Sequence, residues 1–263
     1  MHFNNIKLGT GPQLHYAEQG VADGQPVLFL HGWPDSWFSF SRVLQLLPGQ
    51  FRTLCIDQRG FGESERPGSG YRIEDFAADV VSFMDALEIE RASLVGHSFG
   101  SFVARCVALH APDRVDWMVL IGTGFARSNP VILELQASLR NLPDPIPVEF
   151  AREFQASTAY LPLPEEFFER IVLESLKIPA RLWPVMVDRL IEYDDAAQLS
   201  KIAAPTLLLW GEHDALFPRT HQDRVMTALP GAELKIYQET GHCPNWERPE
   251  RVADDISAFV KER

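Results

Sequence analysis

Cysteine is scarce in this chain: its 263 residues hold three, Cys55, Cys106 and Cys243, far apart and without metal-ligand spacing. That pattern predicts free thiols in a reducing compartment rather than disulfides or a metal site. Basic charge is also short, with 24 Lys and Arg against 36 Asp and Glu and a net charge of −12. Such a balance argues against nucleic acid or an anionic membrane as a partner. Long apolar runs are missing; "WMVLIG" at 117–122 is among the longest, far below the ~20 residues that cross a bilayer. The start, "MHFNNIKLGTGP", lacks a charged stretch followed by an apolar core, so no secretion signal is expected. No fixed-period repeat and no low-complexity tract occurs. These absences predict a soluble, cytoplasmic protein, and nothing in the sequence asks for a metal or a cofactor.

What is present is a hydrophobic share of 46%, in a chain long enough to bury about three quarters of its unfolded surface. Short runs rich in Val, Leu and Ile recur: "PVLFL" (26–30), "TLCI" (53–56), "ASLV" (92–95), "WMVLI" (117–121), "TLLLW" (206–210) and "ELKIY" (233–237). Near-continuous apolarity of this kind suits strands buried on both faces of a parallel sheet. Between the runs lie helical stripes, such as Phe76, Val80, Phe83, Met84 and Leu87, and Val252, Ile256, Phe259 and Val260 behind Pro249. Strand and helix in alternation predict an α/β doubly wound sheet. From about Phe125 to Leu199 the rhythm fails: prolines at 130, 143, 145, 147, 162, 164, 179 and 184 cut the chain into short helical pieces such as Glu165 to Leu176. A structureless loop of that length is rare in a compact domain. The expectation is a core of residues 1–124 and 200–263, with a helical cap inserted at 125–199.

Chemistry concentrates where strands end. "GHSFG" at 96–100 follows one strand and opens a helix from about Phe99. Gly-x-Ser-x-Gly in that context is a tight turn that holds its serine in a strained backbone position, with helix-terminal amides pointing at any oxyanion formed there. Ser98 is therefore the candidate nucleophile. A serine hydroxyl needs a base, and the base needs an orienting acid. Two other strand ends carry them: "GEHD" at 211–214 and "ETGH" at 239–242. Ligands of open α/β sheets bind at the carboxyl ends of strands, so these groups should converge. His242 is the candidate base. Asp214 is the preferred acid because it lies further out along its loop, with Glu212 and His213 as alternatives. His97 should point away from the nucleophile and serve the structure, and His2, His15, His110 and His221 have no context that raises them. Two backbone N–H groups should form an oxyanion hole, one from Phe99 and one from Trp33 after "PVLFL", where Gly32 lets the chain turn inward.

With these pieces in view, the chain resembles the α/β-hydrolase superfamily over nearly its whole length. The matching stretches are "HGWPDSW" (31–37), "DQRGFGES" (57–64), "GHSFGS" (96–101), "LLLWGEHD" (207–214) and "GHCPNWERPE" (241–250). The resemblance implies a mostly parallel central sheet with helices on both faces, an inserted helical cap, and triad members in the chain order Ser98, Asp214, His242. "HGWPDSW" and "RGFGESERP" look most like epoxide hydrolases and haloalkane dehalogenases, which form an alkyl ester on an aspartate at the elbow. Ser98 stands in that place, and a serine cannot become the carboxylate ester their second step hydrolyses. The implied protein is a serine hydrolase on a shared scaffold.

Aromatic side chains near the strand ends suggest an uncharged, moderately hydrophobic substrate. The expected binding set is His31, Trp37, Phe125, Tyr160, Trp183 and Phe217. The expected reaction is hydrolysis of a small carboxylic ester or lactone through an acyl-enzyme on Ser98. Carbon–carbon bond hydrolysis, cofactor-free perhydrolysis and slow-turnover ligand sensing remain open on the same machinery.

Overall fold

The computed structural model describes residues 1–127 and 129–261. Its eight strands are β1 (His2–Lys7), β2 (Gln13–Gly20), β3 (Gln25–Leu30), β4 (Phe51–Ile56), β5 (Ala92–His97), β6 (Val115–Ile121), β7 (Thr206–Gly211) and β8 (Glu233–Tyr237). They form one sheet in the order β1-β2-β4-β3-β5-β6-β7-β8. From β4 to β8 every pairing is parallel, whereas β2 meets both β1 and β4 antiparallel. The six strands expected from apolar runs are all present. The N-terminal hairpin carried no such run, because β1 is exposed along most of its length. β2 turns only Leu14, Tyr16 and Ala17 fully inward, so its signal is a short alternation rather than a block.

Helices cover both faces, and the period of two along each strand sorts them. Leu28 and Leu94 face a core shared with α2 (Ile73–Ala86), α3 (Phe99–His110) and α8 (Arg219–Ala228). Val27, Phe29 and Val95 face the opposite core, closed by α1 (Ser41–Leu44) and α10 (Pro249–Lys261). The predicted stripes supply the packing: Phe76, Val80 and Phe83 on α2, and Val252, Ile256 and Phe259 on α10. Each such burial stabilises the fold by about 2 kcal/mol. The short α9 (Pro244–Glu247) precedes α10.

Four further helices stand between β6 and β7: α4 (Pro130–Leu139), α5 (Val148–Thr158), α6 (Glu165–Leu176) and α7 (Leu182–Glu192). Proline sets the starts of three of them. Pro130 is the first residue of α4, and Pro147 and Pro164 occupy the N-cap positions of α5 and α6, where a missing N–H costs no helical hydrogen bond. No strand occurs among the described residues from 125 to 199. None of the described helices is long and apolar enough to cross a membrane.

The strand order reverses at β3, which lies between β4 and β5. Chain leaving β3 and chain leaving β5 therefore diverge and open a crevice above their carboxyl ends, the usual ligand position in such sheets. That crevice receives both the 31–36 loop and Ser98.

Candidate active site

Ser98 joins β5 to α3 with φ 48° and ψ −116°. A non-glycine residue held at such a φ costs on the order of 1–3 kcal/mol and persists only when its surroundings impose it. They do so here. The Ser98 N–H donates to the Ile121 carbonyl at 2.9 Å, and its carbonyl accepts from Ser101 N–H at 2.8 Å and Ser101 Oγ at 2.6 Å. Gly100 has no room for a side chain, since a Cβ there would run into the main chain of Leu30 and His31. Its absence lets the first turn of α3 lie directly on the end of β3. Gly32 is as tightly placed: a Cβ would fall 2.9 Å from His97 Nδ1 and 3.2 Å from the Ser98 Cβ. Two glycines thus bring the main chain around Trp33 beside Ser98. Among the described residues, the Trp33 and Phe99 N–H groups donate to no side chain and to no loop carbonyl.

The candidate acid and base meet at the other strand ends. Asp214 and His242 are both buried, and Asp214 Oδ2 lies 2.9 Å from His242 Nδ1. The other carboxylate oxygen accepts from the main-chain N–H groups of Leu216 and Phe217, both at 2.9 Å. That arrangement fixes the carboxylate and assigns the Nδ1 proton to the imidazole. Glu212 and His213 do not compete; both are exposed, and the His213 ring stacks on Tyr160 at 3.9 Å. His242 Nε2 is buried and makes no hydrogen bond among the described residues. The two halves of the site meet through neighbours. His97, next to Ser98, places Nε2 3.2 Å from the His242 carbonyl, and the two rings are 5.1 Å apart. Phe217 lies 5.8 Å from the His242 ring and lines the same cavity as Ser98.

That cavity is narrow, with a volume of about 20 Å³. Trp33, Ser98, Phe99, Leu216 and Phe217 line it from the sheet side. Ile132 and Leu135 of α4, Phe154 of α5, and Met186, Val187 and Leu190 of α7 close it from above. Among the described residues, Ser98 is the one residue of the lining with a hydroxyl or charged side chain. An apolar, enclosed site of this kind strengthens any interaction between charges formed within it.

Of the six residues expected to bind substrate, Phe217 lines this cavity and the other five stand elsewhere. His31 is fully buried below it, with Nδ1 on the Gly32 carbonyl and Nε2 accepting from the Gln58 N–H. Trp37 packs against Phe3 and Phe38 outside the site. Phe125 faces another depression, stacked under the Arg224 guanidinium at 4.6 Å. Tyr160 is 52% exposed on the His213 ring. Trp183 is buried behind Trp33, ring to ring at 5.1 Å. The physical reason is common to them: closeness to a strand end in sequence does not say which way a loop turns its side chain.

Two buried carboxyls in the segments that carry the candidate site escaped the sequence reading. Asp35 accepts from Gln155 Nε2 at 3.0 Å and from Ser39 Oγ at 3.1 Å, and lies 3.8 Å from His97 Nδ1. Burial pushes its pKa up to about 7, against the pull of those hydrogen bonds and of the nearby His242. Burial also drives the His97 pKa well below its ordinary value, so the imidazole is neutral and the contact is not an ion pair. Glu247 is the second, with main-chain N–H groups around its carboxylate. Its sequence signal was its place in "GHCPNWERPE", which marks a family stretch without saying what the acid touches. Among the described residues, no three His, Cys, Asp or Glu side chains are grouped so as to hold a metal ion.

The family model described as alpha/beta hydrolase fold matches residues 25–249. The chain is 30% identical to the non-heme chloroperoxidase of Streptomyces lividans, over 97% of its own length and 99% of that protein. It is also 30% identical to haloalkane dehalogenase 2 of Mycobacterium bovis, over 93% of its length and 90% of the relative. Among solved structures, an esterase from Exiguobacterium antarcticum superposes with a TM-score of 0.89 at 22% identity, covering 99% of this chain and all of that one. An eight-stranded, mostly parallel sheet, helices on both faces and a match of this extent leave one assignment. The chain belongs to the α/β-hydrolase fold family, and it is a hydrolase of that family.

Proposed function

We propose that the protein is a serine hydrolase that cleaves a carboxylic ester or lactone of a small, moderately hydrophobic substrate. What supports this reading is a strained Ser98 that lines an apolar cavity, beside a buried Asp214–His242 hydrogen bond at 2.9 Å whose imidazole packs 5.8 Å from Phe217 of the same lining. His242 Nε2 takes the proton of Ser98 as Oγ attacks the carbonyl carbon, and the carbonyl π electrons move onto oxygen. The Trp33 and Phe99 N–H groups donate to that oxyanion, each worth about 3 kcal/mol of barrier. Collapse expels the alkoxide, which takes the proton from His242, and leaves an acyl ester on Ser98. Water, deprotonated by the same imidazole, then releases the acid and restores Ser98. Asp214 keeps the imidazole in the tautomer that this needs.

Residues 125–199 act as a cap on a core of 1–124 and 200–263, and the cavity closed by α4, α5 and α7 supports that division. Three buried, unpaired cysteines support a reducing, cytoplasmic setting. A second reading is favoured by the likeness to a chloroperoxidase: hydrogen peroxide in place of water would attack the acyl-enzyme and release a peracid, with no change of residues. Assaying p-nitrophenyl esters and lactones with and without peroxide, beside a fluorophosphonate label, tests both. The expected result is covalent labelling at Ser98, rapid ester turnover, and a fall of at least ~1,000-fold in kcat for Ser98→Ala. Absence of labelling at Ser98, or turnover that survives Ser98→Ala, would overturn the reading.

A further inference from the structure

Glu247 ends α9, one turn beyond His242, and has no contact with the cavity. Its carboxylate nonetheless gathers main-chain donors from two separate parts of the chain. The Gly241 N–H reaches both oxygens, at 2.9 and 3.1 Å. The N–H groups of Tyr160 and Leu161 donate to Oε2 at 2.9 and 2.8 Å. Gly241 precedes His242, while residues 159–164 connect α5 to α6. The same two segments meet again beside the clamp: the His242 N–H donates to the Thr158 carbonyl at 2.8 Å. A Cβ at Gly241 would stand 2.7 Å from both Thr158 O and Tyr160 N. On the far side, the Tyr160 ring stacks on His213, the residue before Asp214.

We propose that Glu247 is a positioning residue for the hydrolysis, its carboxylate clamping the His242-bearing loop to the connection between α5 and α6 so that the imidazole is held in line between Asp214 and Ser98. This rests on the serine-hydrolase reading. Hydrogen bonds from neutral main-chain donors to an ionised acceptor are about twice as strong as neutral pairs, so one carboxylate can fix two loops that lack a covalent link. A Gln side chain keeps one acceptor oxygen, and with it in the Oε2 place the bonds from Tyr160 and Leu161 survive. Its NH₂ then opposes the Gly241 N–H that donates to Oε1 at 2.9 Å, so the hold on the His242 loop is weakened.

Glu247→Gln and Glu247→Ala, made in the full chain, test it with three measurements: kcat and KM on the best p-nitrophenyl ester, the rate of fluorophosphonate labelling at Ser98, and the downfield proton resonance of the Asp214–His242 hydrogen bond. The expected result is a kcat lower by roughly 10-fold for Glu247→Gln and roughly 100-fold for Glu247→Ala, with KM within about threefold. Labelling should slow in parallel, and the resonance should broaden or move while circular dichroism stays native. If Glu247→Ala does not fold, Glu247→Gln decides. Wild-type kcat, labelling rate and resonance in Glu247→Gln would overturn the proposal, and so would a loss confined to KM. Failure of the underlying reading looks different: the wild-type protein itself would not label at Ser98.

Discussion

At the residue scale, the site is a set of conformations and protonation states that burial imposes. Ser98 occupies a backbone position that favours glycine, and the hydrogen bonds and close packing around it keep it there. Asp35 shows the same principle in its proton. With a folded pKa near 7, against about 4 when unfolded, the native state keeps a proton that the unfolded chain has released. The contribution of this group to stability therefore falls as pH rises from about 4 to about 7, and the penalty is complete above that. A shift of about three units corresponds to an upper limit on the order of 4 kcal/mol. Asp35→Asn should gain stability relative to wild type between about pH 5 and about pH 8, by roughly 1–3 kcal/mol. Urea unfolding at the two pH values checks this, and a difference that is constant with pH would contradict it.

At the element scale, the short-range rules act cleanly. The strands β3 to β8 arise from apolar runs, and three of the four inserted helices begin where proline permits. α3 approaches β3 closely because Gly100 offers no side chain. In the proposed hydrolysis, the helices α4, α5 and α7 would select the acyl groups that fit, since their apolar side chains make the roof of the cavity. Leu190, on α7 and nearly buried, is one of these. Leu190→Ala should widen the roof and shift kcat/KM toward longer acyl chains, changing the long-to-short ratio by roughly 10-fold. It should also cost about 2–4 kcal/mol in stability. A p-nitrophenyl series from acetate upward reads the ratio, and an unchanged order of preference would show that Leu190 does not set it.

At the scale of the whole molecule, buried polar ties join the inserted helices to the sheet. Arg105 on α3 is fully buried and meets Asp195, just beyond α7, through two bonds of 2.9 and 3.0 Å. It also donates to Thr123 Oγ1 and the Gly124 carbonyl after β6, so one guanidinium holds the points where the insertion leaves and rejoins the core. Removing one partner of such a pair leaves an uncompensated charge, at a cost of about 3–5 kcal/mol. Asp195→Ala should lose that amount in denaturant unfolding, and the pair Arg105→Met with Asp195→Leu should recover most of it. A loss below about 1 kcal/mol for Asp195→Ala would mean that the tie is not needed.

The amino-acid sequence by itself determined what depends on neighbours along the chain. Apolar runs gave six strands, prolines cut 125–199 into short helical pieces, and "GHSFG" put a serine at a strand-to-helix turn. Strand-end position then pointed to His242 and favoured Asp214, with Glu212 and His213 as alternatives. Tertiary structure decided what depends on segments far apart in sequence. It placed β1 and β2, whose polar edge carries no apolar block, against β4. It sent His31, Trp37, Phe125, Tyr160 and Trp183 away from the cavity that Phe217 lines. It also buried Asp35 against Gln155 and wrapped two loops around Glu247. Periodicity says which face of an element is apolar, but the docking of one element on another decides which polar group loses its water and which ring reaches the cavity.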